Sequence, residues 1–290
     1  MGDLTSLLTC RSVSYLGPPG TFTEEALQKW RGLKFEEAMP FPTVEEAILA
    51  VEDNVADKAV VPIENSIEGS VNATLDSLAF ETEVLIQAEK VCGVKHYLLA
   101  RGGINLEEVK KVISHPQAAA QCRRHLVELL PGVEVEAANS TSEAAMRAAE
   151  SGEPVAALGS MLAAELYGLA MLREGMEDHP DNRTRFVLLG KDRMPPTGRD
   201  KTSMVCFIFQ DRPGMLLQIL QEFAFRYVNL TKIESRPTKE VLGEYCFFID
   251  CEGHEDEEVL ASALKCLECK LPRVKLLGSY PAYGEEREDA

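Results

Sequence analysis

The sequence predicts an α/β protein in which two lobes built on parallel sheets precede a smaller, ferredoxin-like domain. Three observations lead to this prediction. Short apolar runs alternate with amphipathic segments between residues 12 and 190, the order expected of parallel sheets with helical connections. A long β-rich stretch, EVLIQAEKVCGVKHYLLA, interrupts the alternation, as expected where a chain passes between lobes. After KDRMPPTGRDK the order of the elements changes to βαββαβ.

The first lobe is predicted to alternate strand and helix three times. Its strands are the runs SVSYLG, KFEEAMPF and KAVVPIEN, and its helices are TFTEEALQKW, TVEEAILAVEDN and GSVNATLDSLAF. Thr21–Glu24 and Thr43–Glu46 each place a hydroxyl three residues before a carboxylate, which is the capping box that starts a helix. The stretch EVLIQAEKVCGVKHYLLA then supplies two strands or a crossover between lobes.

The second lobe repeats the pattern. Its strands are KKVISHP, VEVEAA and PVAALGS, its helices are QAAAQCRRHLVELL, TSEAAMRAAES and SMLAAELYG, and TRFVLLG closes the region as a strand. Ser140–Glu143 forms a third capping box, and Pro116 suits a first helical turn. These polar turns follow strands, at the edge of the sheet where open α/β folds bind ligands. Each turn alone is also explained as a helix cap, so the prediction of a site requires several of them to meet at one cleft.

The third domain follows a linker rich in proline, glycine and charge. Its strands are SMVCFIFQ, LTKIESRP, YCFFIDCEG and RVKLLGSYP, and its helices are PGMLLQILQEFAFRY and DEEVLASALKCLECK. The predicted boundaries are a two-lobed domain at 12–190 (one lobe 12–88 with 184–190, the other 89–183), a linker at 191–201, the small domain at 202–281 and a flexible tail at 282–290.

The composition excludes several classes of function. The chain of 290 residues carries 47 acidic and 30 basic side chains, a formal charge of −17, which disfavours binding to nucleic acid or to anionic membrane surfaces. No apolar run is long enough to span a bilayer, and no secretory signal is visible. Eight scattered cysteines suggest no disulfide framework, so a cytoplasmic location is expected. No metal cluster or phosphate loop of recognised spacing is present, so no cofactor or metal is expected.

The run DNRTRF, residues 181–186, places two arginines around Thr184 in this acidic chain. It predicts a small positively charged site that attracts anions. The alternative is that the two arginines are only solvated side chains at the end of a strand. On a regular strand Arg183 and Arg185 would share one face and Thr184 would lie on the other. If all three served one substrate, the segment could not be a regular strand, so we expect a loop that becomes a strand at Phe186.

The motifs together resemble the monofunctional prephenate dehydratases. They are YLGPPGTFTEEA, VPIENSIEGSVNATLD, SHPQAAAQC, NSTSEAA, AALGSMLAAELYGL and NRTRFVLLG, in this order. RPGMLLQIL and KIESRP resemble the phenylalanine-binding ACT regulatory domain of those enzymes. The resemblance implies a catalytic domain like a type II periplasmic binding protein and a regulatory domain that pairs between subunits, giving a homodimer or homotetramer. Because the pattern begins near Tyr15, it implies no preceding chorismate mutase segment in this chain.

The resemblance implies conversion of prephenate to phenylpyruvate, water and carbon dioxide, with feedback inhibition by L-phenylalanine. It assigns catalysis to Thr184. Arg185 is expected to hold the side-chain carboxylate of the substrate or to orient the substrate. Glu64, if it is a buried acid, is the alternative proton donor, and otherwise it is a capping or structural carboxylate. Candidate substrate-binding residues are Asn65, Ser66, Ser114, Gln121, Ser140, Thr141, Ser142 and Phe186, the last either in the core or on the pocket floor. Candidate effector-binding residues are Gly214, Met215, Leu216, Asn229, Glu234, Ser235, Arg236 and Pro237.

Two other functions remain open on the sequence. Arogenate dehydratase shares these motifs, because its substrate differs from prephenate only at the keto or amino carbon. A non-catalytic amino-acid sensor could use the same two-lobed fold, although a pure sensor would not need the threonine of the TRF run at 184–186. For the third domain, the alternative to an effector site is a purely structural dimerisation domain.

Overall fold

The computed structural model describes residues 7–208, 213–239 and 244–283, and these residues form three sheets. The first sheet has the order β2-β1-β3-β11-β5 with a short β4 beside β3. β1 pairs in parallel with β2 and β3, whereas β11 lies antiparallel between β3 and β5. The first lobe comprises β1 (Ser12–Leu16), α1 (Phe22–Gln28), β2 (Glu37–Phe41), α2 (Val44–Glu52), β3 (Lys58–Asn65), β4 (Gly69–Ser70), α3 (Asn72–Asp76) with a π-helical turn (Ser77–Glu81), β5 (Leu85–Gly93) and the returning β11 (Arg183–Gly190).

The second sheet has the order β10-β6-β9-β7-β8 and forms the second lobe. β7 is parallel to β8 and β9, and β6 and β10 are antiparallel additions at the other edge. The lobe comprises β6 (Tyr97–Arg101), a 3₁₀ turn (Leu106–Glu108), β7 (Lys111–Ser114), α4 (Pro116–Gln121), α5 (Arg123–Leu129), β8 (Glu134–Ala137), α6 (Thr141–Glu150), β9 (Val155–Gly159), α7 (Met161–Tyr167) and β10 (Leu169–Arg173).

The third sheet has the order β13-β14-β12-β15, all antiparallel, which confirms the ferredoxin-like arrangement. Two helices cover one face of this sheet and share a core with it. The elements are β12 (Asp200–Ile208), α8 (Met215–Ala224), β13 (Leu230–Pro237), β14 (Tyr245–Glu252), α9 (Glu258–Lys270) and β15 (Arg273–Pro281).

The helix-free face of the third sheet packs against the first lobe. Apolar side chains of both units form one buried cluster, among them Val61, Ile86, Val187 and Leu189 of the lobe and Val205, Phe207, Phe248 and Leu277 of the third sheet. The two units approach closely at Gly278, where an added Cβ would lie 2.4 Å from the carbonyl oxygen of Ile86. The small domain is therefore joined to the sheet that carries β3 and β11.

The predicted helix starts are confirmed. Thr21, Thr43 and Ser140 cap α1, α2 and α6 through their hydroxyls, and Pro116 opens α4. Several details differ from the prediction. The run QAAAQCRRHLVELL is divided between α4 and α5, and Gly69–Ser70 is a strand and not the start of a helix. β11 is already a strand at Arg183, β5 stays in the first sheet as far as Gly93, and β10 was not predicted. The domain boundaries otherwise stay a prediction, and residues 284–290 of the predicted tail lie outside the described residues.

Candidate active site

The end of β3 and the start of β11 lie side by side. Asn65 is the last residue of β3, and the antiparallel register places it opposite Thr184. Asn65 Nδ2 donates a hydrogen bond to Thr184 Oγ1 at 2.9 Å. The side chain of Thr184 is buried, with 8% of the residue exposed. Two of the residues predicted for the site, far apart in sequence, are thus in direct contact.

The orientation of the Asn65 amide is fixed by the backbone that follows it. The N–H groups of Ile67 and Glu68 donate to Asn65 Oδ1 at 3.0 and 3.1 Å. Because a backbone N–H can only donate, the oxygen of the amide must face these groups and its NH₂ must face Thr184. Thr184 Oγ1 therefore accepts from Asn65, and its own proton remains to be donated elsewhere.

A chain of amides continues from Asn65 to the second lobe. Asn65 Nδ2 donates to Asn182 Oδ1 at 2.8 Å, and Asn182 Nδ2 donates to Gln121 Oε1 at 3.0 Å. Gln121 Nε2 in turn donates to a carboxylate oxygen of Glu68 at 3.3 Å. The predicted residue Ser66 joins through Oγ, which lies 3.4 Å from Asn182 Oδ1. The network connects β3, α4 and the segment before β11, so it bridges the two lobes.

A buried histidine lies at the end of this chain. His96 is 2% exposed, and its Nε2 lies 3.3 Å from Gln121 Oε1. Its ring packs edge-on against Phe22 with the ring centroids 5.2 Å apart. Burial lowers the pKa of His96, against the opposing effects of Gln121 and Glu177. A neutral imidazole with the proton on Nε2 can donate to the Gln121 oxygen, which agrees with the direction of the amide chain.

The remaining predicted residues of the second lobe lie in helix starts. The Ser140 hydroxyl caps α6, and the Ser114 hydroxyl donates to the carbonyl of His115 at 3.0 Å. The Ser142 hydroxyl donates to the carbonyl of Pro19 in the first lobe. Thr141, the first residue of α6, is half-buried. Ser142 therefore supplies a hydrogen bond between the lobes. The structure does not bring Ser114, Ser140, Thr141 or Ser142 into the amide chain.

The structure corrects the prediction for Arg185. Its Nε donates to Glu89 at 2.7 Å, while Nη1 donates to Asp250 at 2.7 Å. Its Nη2 donates to the hydroxyl of Tyr280 at 2.8 Å, and the side chain is only 11% exposed. Because Thr184 and Arg185 are consecutive residues of β11, paired with Asn65 and Glu64 ahead of a register shift at Phe186, their side chains lie on opposite faces. Arg185 binds the third domain, so we do not retain it as a ligand for a substrate carboxylate.

The buried charges around Arg185 balance. Lys201 donates to Glu89 at 2.8 Å, and Ser203 donates to Asp250 at 2.6 Å. Burial by itself would lower the pKa of Arg185, but Tyr280, Asp250 and Glu89 together raise it, so the guanidinium stays charged. The group is an ion-pair cluster that spans two domains.

The prediction of a buried acid at Glu64 is also corrected, whereas Phe186 lies in one of its two predicted places. Glu64 is not a buried acid in apolar surroundings: its side chain is 40% exposed, and its carboxylate lies 3.5 Å from Arg185 and 3.4 Å from Lys232. Phe186 is in the core of the first lobe, where it packs in one cluster with Val13 and Val60. Glu64 is thus part of an ionic contact, and Phe186 has a packing role.

One face of β13 carries a row of charged side chains that contact the first lobe. Lys232 Nζ donates to Ser70 Oγ at 2.6 Å, Ser70 Oγ also contacts Glu234, and Arg236 Nη2 donates to Asp76 at 2.7 Å. The predicted effector-binding residues Glu234 and Arg236 therefore have side chains that contact the first lobe. This corrects their assignment to an effector site.

The other predicted effector-binding residues lie either at the start of α8, beside a cavity, or on β13 and just before it. A cavity of about 400 Å³ opens where α8 begins, and Phe247 of β14 also lines it. Gly214 begins this helix with φ at 89°, a left-handed backbone conformation that glycine adopts easily. Asn229 donates to Glu252 at 3.1 Å. Ser235 and Pro237 are exposed on β13, where Ser235 is paired with Phe247. The described residues that line the cavity are Ile208, Pro213, Gly214, Met215, Leu216, Leu217, Leu220 and Phe247.

Neither a metal site nor a membrane span is found in the part of the chain that the structure describes. No group of three or more His, Cys, Asp or Glu side chains among residues 7–208, 213–239 and 244–283 could hold a metal ion. In those same ranges no helix is both long and apolar enough to cross a membrane.

Sequence reasoning missed three members of the network: Asn182, Glu68 and His96. Asn182 lies two residues before Thr184, and only its place in the polar run DNRTRF could have drawn attention to it. His96 stands in the β-rich stretch KVCGVKHYLLA, where a single polar ring is unusual. Glu68 gave no signal, because a carboxylate in a polar turn is ordinary.

The comparisons with known proteins agree with this architecture. The prephenate dehydratase family matches residues 13–194 and the ACT domain matches residues 207–268. A prephenate dehydratase of Mycobacterium bovis (strain BCG / Pasteur 1173P2) is 44% identical over 279 residues, which cover 93% of this chain and 86% of that protein.

Two solved structures have the same fold over most of their length. The prephenate dehydratase of Arthrobacter aurescens in complex with L-Phe is 40% identical, with a TM-score of 0.87 over 93% of this chain and 90% of that one. GqqA, described as a novel type of quorum quenching acylase, is 32% identical, with a TM-score of 0.85 over 94% of this chain and 98% of that one.

Proposed function

The chain belongs to the prephenate dehydratase family and is an enzyme of that type, and from this premise we propose that it forms phenylpyruvate, water and carbon dioxide from prephenate in phenylalanine biosynthesis. The observation that carries the proposal is the hydrogen bond from Asn65 Nδ2 to Thr184 Oγ1. It leaves the Thr184 proton free to be donated to a substrate oxygen.

The reaction needs a donor at the ring hydroxyl. Hydroxide is a poor leaving group, and a hydrogen bond or proton supplied in the transition state lowers the barrier. A threonine hydroxyl is too weak an acid to be ionised at neutral pH, so Thr184 acts as a hydrogen-bond donor or as one link in a proton relay. Aromatisation of the ring, with loss of the ring carboxylate as carbon dioxide, drives the step.

The binding groups follow from the same principle. The carboxylate that leaves should not be held tightly, because such binding stabilises the ground state. Neutral donors suit this requirement better than a buried arginine does. Gln121 Nε2 carries two hydrogens, one of which goes to Glu68, and the other is assigned to a substrate oxygen. Asn65 and Ser66 complete the polar wall beside Thr184.

The test of the activity is a direct assay. Purified protein is incubated with prephenate, and phenylpyruvate is followed by its ultraviolet absorbance; arogenate is assayed in parallel by the appearance of phenylalanine. The proposal predicts turnover of prephenate with the higher kcat/KM. A folded protein that turns over only arogenate, or that has only the acylase activity described for GqqA, contradicts it.

For regulation, we propose that L-phenylalanine binds the cavity at the start of α8 and inhibits the enzyme. The cavity is apolar, and its volume of about 400 Å³ lies in the usual range for small ligands. The related protein from Arthrobacter aurescens was solved with L-Phe. Gly214 leaves the first N–H groups of α8 uncovered by a side chain, which suits the carboxylate of an amino acid.

The two faces of β13 suggest how binding reaches the active site. Ser235 is paired with Phe247, which lines the cavity. The neighbouring Glu234 faces the other way and contacts Ser70, and Lys232 lies 3.4 Å from Glu64, the residue before Asn65. A displacement of β13 on effector binding would therefore act on the end of β3. Inhibition requires that phenylalanine bind more tightly to the chain with β13 displaced than to the chain without that displacement.

Calorimetry on the full chain tests the effector site. Leu220 lines the cavity, so Leu220→Glu should abolish the heat of phenylalanine binding. Val259→Glu is the matched control, because Val259 is exposed on the other helix of the domain. Retained binding in Leu220→Glu, or absence of binding by the unmodified chain, contradicts the assignment.

We also propose that two chains pair through the third domain. β13 is an edge strand, and exposed apolar side chains lie on it and around α8: Ile233, Leu217, Phe225 and Tyr227. Light scattering with and without phenylalanine distinguishes a dimer from a tetramer and would contradict the proposal by finding a monomer at micromolar concentration. The cytoplasmic location stays a prediction.

A further inference from the structure

We propose that Asn182 is a positioning residue: it holds the Asn65 amide that donates to Thr184 and ties that amide to Gln121 of the second lobe. The proposal rests on the proposed role of Thr184 as a donor to the substrate. It assigns a function to a residue that makes no contribution to the fold's apolar cores and that is nevertheless among the most buried polar groups, with 2% of its surface exposed.

Asn182 is held from several sides. Its Oδ1 accepts from Asn65 Nδ2 at 2.8 Å and its Nδ2 donates to Gln121 at 3.0 Å. Its carbonyl accepts from the N–H of Val94 at 2.8 Å, in the stretch that joins the lobes. A buried amide with both ends of its side chain engaged has one stable orientation. If the Asn182 amide were turned over, its NH₂ would face the NH₂ of Asn65 and its oxygen would face the oxygen of Gln121, so both hydrogen bonds would be lost.

The direction of the chain is determined independently at each end. At one end backbone N–H groups, which can only donate, fix the oxygen of Asn65. At the other end the carboxylate of Glu68, which can only accept when ionised, fixes the NH₂ of Gln121. Asn182 is the amide between them, and both ends require the orientation that it has.

This direction matters for Thr184. Asn65 Nδ2 has two hydrogens, and the structure directs them to Asn182 Oδ1 and Thr184 Oγ1, with the Arg183 carbonyl also near at 3.2 Å. If Asn182 presented an NH₂ to Asn65, whose own NH₂ is oriented by the backbone of Ile67 and Glu68, the two donors would repel and push the Asn65 amide away from Thr184. Asn182 thus holds the Asn65 amide in its place beside Thr184, where it donates to Oγ1 and leaves the hydroxyl proton for the substrate.

A carboxylate at position 182 gives a test that a purely structural role would not pass. In Asn182→Asp the ionised side chain can only accept, so it faces the oxygen of Gln121 without a hydrogen. When that carboxyl is protonated it can donate again. Burial raises the pKa of such a group, which brings its titration into the range of a pH–rate profile.

The expected result is a fall of about 10- to 100-fold in kcat at neutral pH, with a smaller change in KM. The ionised carboxylate still accepts from Asn65, but it repels the Gln121 oxygen and so displaces the Gln121 NH₂ that is assigned to a substrate oxygen. The pH profile of kcat/KM of Asn182→Asp should gain a limb that rises as the pH falls, absent from the unmodified enzyme. Asn105→Asp is the matched control: Asn105 donates to Glu108 on the exposed surface of the second lobe, so its profile should not change.

Two further measurements keep the test decisive. Should Asn182→Asp not fold at neutral pH, Asn182→Ala removes the side chain without adding charge and should lower kcat at least tenfold without a new pH limb. Denaturant unfolding of Asn182→Asp at several pH values measures the cost of the buried carboxylate without requiring turnover. Its folded pKa is raised above the unfolded value, so its stability relative to the unmodified chain should be greatest at low pH and fall as the pH rises.

Three results overturn the proposal: an unchanged kcat in Asn182→Ala, a loss in Asn182→Asp that does not recover at low pH, or an equal limb in Asn105→Asp. Failure of the proposed function looks different, because the unmodified chain would then not turn over prephenate, while the pH dependence of unfolding would still report on Asn182.

Discussion

Thr184 and Arg185 are adjacent on one strand and have opposite surroundings. Thr184 faces neutral amides, and its hydroxyl accepts a hydrogen bond of 2.9 Å from Asn65. Arg185 faces charges, with Glu89 and Asp250 both 2.7 Å away. One strand therefore carries a directed network of dipoles on one face and a balanced set of ions on the other.

The difference shows two ways of fixing a side chain. Neutral amides have a donor end and an acceptor end, so a chain of them determines which atom keeps a free proton. Ion pairs have no such direction, but a buried pair holds its position strongly because separating the charges is costly. On this account the amide face serves the chemistry and the ionic face holds β11 against the third sheet.

The largest expected effect is on the ionic face. Arg185→Leu leaves Glu89 and Asp250 buried, with Lys201 as the remaining cation beside Glu89. We expect a loss of about 3–5 kcal/mol in the free energy of unfolding, measured by denaturant titration. Lys29→Met breaks a surface pair with Glu25, whose side chains are 63% and 24% exposed, and should cost less than about 1 kcal/mol. Equal losses would mean that the buried cluster does not hold the domains together.

The next effect is on the amide face. Thr184→Val keeps the shape of the side chain and removes the hydroxyl, so kcat should fall about 10²- to 10³-fold while the protein stays folded. Thr202→Val is the control, since Thr202 is a buried threonine of the third domain that donates to Gly253. Wild-type turnover by a folded Thr184→Val protein would reject the catalytic role of the hydroxyl.

A smaller effect is expected where the regulatory strand meets β3. Lys232→Met removes the cation beside Glu64, and Lys239→Met removes a cation beside Asp76, which is farther from Asn65 in the chain. Coupling between sites is typically about 1–3 kcal/mol. Inhibition curves should show phenylalanine inhibiting Lys232→Met severalfold more weakly, while Lys239→Met responds normally. The reverse order would place the coupling at the Asp76 contact instead.

The smallest effect concerns acidification. The folded pKa of His96 lies below its ordinary value of about 6.5 because the ring is buried. The unfolded chain then binds the proton first, so stability is unaffected well above pH 6.5 and falls as the pH drops below it, by at most about 1.4 kcal/mol per pH unit. Urea midpoints should show that His96→Phe lacks this part of the acid sensitivity. Identical pH dependence in both proteins would mean that His96 is not the group responsible.

Much of the fold was predictable from local sequence. The three capped helix starts and the βαββαβ order depend on neighbouring residues, and the structure confirms them. Asn65 and Thr184 were both named as site residues on the sequence, but the hydrogen bond between them was found only in the structure. Local sequence patterns predict the helix starts and the order of the elements because caps and periodicity are properties of short segments.

The partners of Arg185 were not predictable in the same way. Asp250 and Tyr280 lie 65 and 95 residues from it, and the packing of the third sheet on the first lobe brings them together. The alternation of charge in Lys232, Glu234 and Arg236 was visible, and on a strand it means one charged face. Nothing in the sequence says whether that face meets solvent, an effector or another domain.

The most direct test of the account is a crystal structure with a ring-saturated analogue of prephenate that keeps the hydroxyl and both carboxylates but cannot aromatise. The account predicts Thr184 Oγ1 within hydrogen-bonding distance, about 3 Å, of the ring hydroxyl oxygen, with Asn65 Nδ2 still donating to Thr184. A ring oxygen more than about 4 Å from Thr184, or bound instead by Arg185, would contradict it.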